Sequence, residues 1–105
     1  RLNPFPPEVY YFHLAWAYLD SEQYEKAIET YKKCLKYQPD FIGAYRGLAV
    51  AYSILGHEKE AKSAALEVLN LDPNFSLKQW KTVLNYKNQA KQERYINALR
   101  KAGLK

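Results

Sequence analysis

At 105 residues the chain makes one domain, too short for the catalytic scaffolds that need a large core but long enough for three helical hairpins. Nearly half of it is hydrophobic, yet no apolar run reaches the roughly 18 residues of a membrane span. Residues 1–75 carry eight Lys and Arg against ten Asp and Glu, a net of −2, whereas residues 76–105 carry eight against Glu93 alone, a net of +7; such asymmetry points to an acidic partner or an acidic neighbouring surface.

The chain opens at Arg1-Leu2-Asn3 without an initiator methionine, and we expect it to be a domain of a longer protein. Residues 1–7 hold three prolines, which remove backbone donors and hold the segment extended, so it reads as a lead-in. Pro7 suits the first turn of the helix that follows, and Phe5 is expected to fold back on that helix.

The first helix is expected over about Pro7 to Leu19. Tyr11, Leu14, Ala15 and Tyr18 lie at helical spacing on the face meant for a hairpin partner. Val9, Phe12, Trp16 and Leu19 form a second stripe, so this helix is apolar nearly all round and must be covered on two sides. Asp20 to Gln23 makes the turn, with Ser21 as the expected cap of the second helix. Tyr24, Ala27, Ile28, Tyr31, Cys34 and Leu35 form that helix's buried stripe. Its solvent face places Glu25 and Glu29 ahead of Lys32, Lys33 and Lys36, the order the helix dipole favours. A single cysteine excludes an internal disulfide and fits a reducing cytoplasm; on the apolar stripe, Cys34 reads as a small buried hydrophobe. Pro39 ends the helix and Asp40 is the expected cap of the next.

From here the chain repeats itself. Shifting it by the 34 residues that separate Pro39 from Pro73 superposes Tyr11 on Tyr45, Leu14 on Leu48, Ala15 on Ala49, Ala17 on Ala51, Tyr18 on Tyr52, Ala27 on Ala61, Leu35 on Leu69 and Phe41 on Phe75. A period of this length marks stacked supersecondary units. Inside the unit, Tyr45, Leu48, Ala49 and Tyr52 share one helix face, Ala61, Ala65, Val68 and Leu69 another, and Gly56 between them suits the left-handed residue that ends a helix. The unit is a helical hairpin.

Tyr45, Leu48, Ala49, Tyr52, Gly56, Ala61 and Pro73, with Tyr11, Leu14, Ala15, Tyr18, Ala27, Tyr31 and Pro39 before them, resemble the tetratricopeptide repeat. Two departures stand out: Glu22 replaces the glycine of the first unit, and Cys34 a usual alanine. The resemblance implies an all-α fold of hairpins stacked as a short right-handed solenoid, with repeat 1 at 8–41, repeat 2 at 42–75 and a degenerate capping pair at 76–105. It implies a concave groove lined by the first helix of each repeat, here Val9, Phe12, Trp16, Leu19, Gly43, Arg46, Gly47, Val50 and Ser53. The groove would take a protein or peptide segment, or another domain of the same protein. Phe12 and Trp16 would hold an apolar anchor, Arg46 an acidic residue, and Gly43 and Gly47 would admit the segment's backbone. The paired Asn and Lys of the family's carboxylate-clamp class are absent from this face.

After Ser76, of the repeat's signature places only Tyr86 obeys the period. Leu77, Trp80, Val83 and Leu84 make one short amphipathic helix, 85–89 a polar break, and Tyr95, Ile96, Leu99 and Ala102 a second stripe closed by Gly103-Leu104. A degenerate end is what an open-ended solenoid needs. The run from Trp80 to Leu104, above all Ala98 to Leu104, resembles the segment that follows such repeats in bacterial class III adenylate or guanylate cyclases and in winged-helix transcription regulators. A signalling parent is the implied context.

Neither His13 nor His57 has ligands at metal spacing, the four glycines form no phosphate loop, and no nucleophile has its motif. The chain is expected to carry no catalysis and no cofactor. Two functions remain: a cytoplasmic protein-interaction module, and a nucleic-acid binder that uses the basic last third with Trp80, Tyr86 and Tyr95 as stacking groups. The basic residues are spread round their helices rather than along one stripe, and the aromatics are needed in the core; both points favour the first.

Overall fold

A computed structural model describes residues 5–83 and 89–105. Among the described residues every regular element is a helix: α1 (Pro7–Asp20), α2 (Tyr24–Tyr37), α3 (Ile42–Ile54), α4 (Glu58–Leu71), α5 (Leu77–Val83) and α6 (Gln89–Lys101). The 34-residue period is visible in the packing. α1 pairs with α2, α3 with α4, and α2 lies on α3 to join the two hairpins. Ala15 and Ala49 are fully buried, as are Ala27 and Ala61 to within 1%; with only a methyl group at these crossings the helices can approach closely.

The junction between repeats is made by aromatic rings seated over glycines. A Cβ at Gly47 would overlap Cζ, Cε2 and Oη of Tyr31, and one at Gly43 would lie 2.6 Å from Phe12 Cε1. Tyr31 is fully buried. Phe12 also meets Phe41, with ring centroids 5.0 Å apart. The glycines therefore serve the fold's own rings, which corrects their expected role of admitting a partner's backbone: the approach that offsets their helix cost comes from inside the molecule.

Three helices end alike. After α1, the N–H of Glu22 reaches Leu19 O and that of Gln23 reaches Tyr18 O; Gly56 and His57 close α3 in the same way, and Gly103 and Leu104 close α6. This is the left-handed closure that satisfies the last carbonyls of a helix. Gly56 and Gly103 take it at φ of +82° and +115°, and Glu22 at +63°. The residue that replaces the first repeat's glycine thus adopts the glycine's conformation. Two expected caps are corrected. Ser21 Oγ donates back to Ala17 O and Tyr18 O, at 2.8 and 3.2 Å, so it finishes α1 rather than starting α2. The residues that precede α2 and α3 are Gln23 and Phe41, neither with a side-chain cap, so Asp40 does not cap α3.

Cys34 is fully buried on α2, and burial, with Glu8 adding to it, pushes its thiol up to about 11. A thiol reagent at pH 8 is expected to leave the folded chain unmodified and to label it at once in denaturant, since the thiolate is the reactive form. The folded thiol keeps its proton where the unfolded one has lost it. This contribution to stability is therefore complete below the ordinary thiol value near 8.5 and fades as pH rises toward 11. A midpoint of urea unfolding that rises over that interval would contradict it.

α5 and α6 follow as a helical pair, and α6 packs chiefly on α3. Tyr95, Ile96, Ala98, Leu99, Ala102 and Leu104 are all buried to 5% or less. The backbone N–H of Leu77 donates to the carbonyl of Lys105 at 2.7 Å, tying the start of α5 to the chain's last residue. The polar break expected at 85–89, and Tyr86 within it, lie outside the described residues apart from Gln89, which begins α6.

Candidate functional site: the inner face of the repeats

The face expected to be an open groove is built by α1 and α3, and α6 lies across it. Trp16 meets Tyr95 edge to face, with centroids 5.8 Å apart, and Tyr95 Oη donates to Asp20 Oδ1 at 2.7 Å. Leu19 is 1% exposed, Val50 2% and Ser53 8%. Gly43 and Gly47 are buried, while Val9, Phe12, Trp16 and Arg46 are half-buried. The nine residues do share one side of the repeats, but most are packed rather than open. This corrects the expectation that Trp16 is an exposed anchor: Tyr95 of the same chain takes that place.

Arg46, too, is contacted from within the chain. Its guanidinium lies 5.7 Å from the centre of the Trp80 ring, a cation over an aromatic face, and Trp80 in turn meets Phe75. Burial lowers the Arg46 pKa, opposed by Tyr31 and Asp72. Trp80 of α5 thus takes one face of the guanidinium, and Arg46 lines a cleft of about 190 Å³ with Asp72, Phe75, Ser76, Gln79 and Trp80.

The rim is electrostatic. Lys91 Nζ stands 4.0 Å from Asp20 Oδ1 and Arg94 Nη1 3.4 Å from Glu22 Oε2, and Arg94 also donates to Tyr24 Oη at 3.4 Å. Glu22 is the residue in the left-handed conformation, so a non-glycine is kept at a conformation costly for it where its carboxylate meets α6. The sequence reading missed Asp20, Glu22 and Tyr95 as a set. Two signals pointed to them: the charge asymmetry and the glycine replaced by glutamate. The acidic neighbour implied by the basic last third is, at least in part, the chain's own first turn.

The two described stacking groups of the nucleic-acid reading are engaged within the fold. Trp80 has Arg46 on it, Tyr95 is 1% exposed, and Tyr86 lies outside the described residues. Among the described residues no three His, Cys, Asp or Glu side chains converge to hold a metal ion, and no helix is long and apolar enough to cross a membrane.

Two consecutive 34-residue helical hairpins, with first helices aligned on one face, define a helical-repeat protein. The tetratricopeptide repeat family matches residues 9–41 and again 42–75, and the chain belongs to it. A protein of Cyanophora paradoxa, the uncharacterized protein ycf37, is 48% identical over 56 residues, which are 53% of this chain and 33% of that relative. The chain spans about a third of the relative's length.

Proposed function

We propose that this domain is a non-catalytic protein-binding module whose inner face takes an amphipathic, basic helix, and that α6 occupies this face as an internal ligand. One observation carries the reading: α6 places a buried aromatic on Trp16, a hydroxyl on Asp20, and two cations on the acidic turn after α1. A partner helix with the same pattern would compete with it, whether that helix belongs to another protein or to another domain of the same one. This replaces the expected anchor-plus-carboxylate ligand, since Arg46 is engaged by Trp80. The lone buried cysteine suits a reducing compartment such as the cytoplasm.

The narrower form of the proposal, a regulatory or scaffolding domain in a bacterial signalling protein such as a cyclase, rests on the resemblance of the run from Trp80 to Leu104, above all Ala98 to Leu104. Those residues end α6 and bury Ala98, Leu99, Ala102 and Leu104, so packing by itself accounts for their apolar pattern.

The test uses a fluorescent peptide of residues 89–105. Lys91→Glu with Arg94→Glu sets acidic residues against Asp20 and Glu22 and leaves the apolar seam in place. An internal helix competes at high effective concentration, so weakening it should tighten binding of the added peptide by about five- to tenfold relative to the unchanged chain. Trp16→Ala in the same variant should abolish that gain. Equal binding to the variant and the unchanged chain would leave α6 as a fixed part of the fold and overturn the proposal.

A further inference from the structure

The outer seams of the two hairpins differ above all in the sign of their charges. At the 34-residue shift Tyr11 corresponds to Tyr45, Leu14 to Leu48, Tyr18 to Tyr52 and Thr30 to Ala64. In repeat 1 two lysines of α2 close this seam: Lys33 Nζ lies 5.8 Å from the centre of the Tyr11 ring, and Lys26 Nζ 5.8 Å from that of Tyr18. In repeat 2 the corresponding residues are Glu67 and Glu60. There the seam is an open cleft of about 190 Å³ lined by Tyr45, Leu48, Tyr52, Glu60, Ala64 and Glu67, with Ser63 at its side. No cation lines it. Lys32 of α2 stands 6.0 Å from the Tyr52 ring centre but is not part of the cleft wall. The Tyr45 hydroxyl donates to Pro39 O at 2.8 Å, which holds that ring in place.

We propose that this cleft binds lysine side chains of a partner protein. Two tyrosine rings offer aromatic faces to an ammonium group, and two carboxylates replace the ammonium groups that repeat 1 supplies itself. Lys26 and Lys33 show the matching pattern, two lysines seven residues apart on one helix face, about 10.5 Å along its axis. The preferred partner segment is a helix with lysines at that interval. Arginine fits less well, because the compact ammonium is what repeat 1 seats in the equivalent places. Burial, then Glu67 and Asp40, raises the Tyr45 phenol, in keeping with a negative potential over the cleft. This site is on the outer side of the hairpin and does not depend on what occupies the inner face.

Titrating the isotope-labelled chain with a helical, alanine-based peptide carrying lysines at i and i+7 should shift the amide resonances of Tyr45, Tyr52, Glu60 and Glu67. The same peptide with both lysines acetylated should not. Glu60→Lys with Glu67→Lys copies repeat 1 into repeat 2; it should keep the melting temperature and weaken binding by about fivefold or more, as its own lysines fill the places. Glu60→Gln with Glu67→Gln, neutral and nearly isosteric, should weaken it similarly and serves if the lysine variant folds poorly. Equal binding of the acetylated peptide, undiminished binding by either double variant, or shifts centred on Glu25 and Glu29 instead would each overturn the proposal.

Discussion

Tyr31→Ala is expected to cost about 3 to 5 kcal/mol, as truncation of a large buried aromatic does. For a domain of this size that is a fall in melting temperature of at least about 12 °C. The ring is fully buried between the two repeats and lies where a Cβ on Gly47 would be, so its loss opens a cavity at the one junction that joins the hairpins. The same geometry reverses a common rule. Replacing a glycine inside a helix by alanine ordinarily gains about 1 kcal/mol, but Gly47→Ala must displace a ring that has no room to move and should cost about 1 to 3 kcal/mol, as overpacking does. In the Tyr31→Ala background the added methyl enters the cavity, and Gly47→Ala should become neutral or stabilising. A thermal-melt double-mutant cycle with no coupling between the two sites would show that they are not in contact. The tyrosines that the repeat pattern marks first, Tyr18 and Tyr52, are only half-buried, with Lys26 and Lys32 over them, so each should lose less than Tyr31 on truncation.

Deleting residues 76–105 is expected to leave a remnant that aggregates or melts without cooperativity. The deletion strips α6 from Trp16, Asp20 and α3 and leaves two repeats, where about three are needed to bury a continuous core. It also removes Trp80 from Arg46, leaving that cation on a bared apolar face. A point change separates the packing from the rim. Tyr95→Ala should cost about 3 kcal/mol or more through the cavity against Trp16, whereas Tyr95→Phe removes only the hydrogen bond to Asp20 and should cost about 1 to 2 kcal/mol. A soluble 1–75 fragment with a sharp melting transition would mean that the two hairpins form a sufficient core and that α6 is an accessory.

The sequence by itself determined the unit and its count. Ala15 with Ala49 and Ala27 with Ala61 recur at 34 residues because each repeat must bring the same helices equally close, and that requirement is local enough to be written in the spacing. It also determined two of the helix C-termini, since Gly56 and Gly103-Leu104 close α3 and α6 as their residues demand; the left-handed Glu22 and the starts of α2 and α3, which Ser21 and Asp40 do not cap, were visible only in the fold.

Tertiary structure alone decided what lies on the inner face. A stripe such as Phe12, Trp16 and Leu19 declares that it will be buried, but helical periodicity carries no address for the surface that buries it, and a partner protein, a lead-in segment or a distant helix would leave the same pattern. The chain's own α6 fills that role because its aromatic and its cations match Trp16, Asp20 and Glu22, residues more than 70 positions away. Gly43 and Gly47 show the same limit from the other side: a glycine announces a close approach, and only the packed molecule shows that the approaching groups are its own Phe12 and Tyr31.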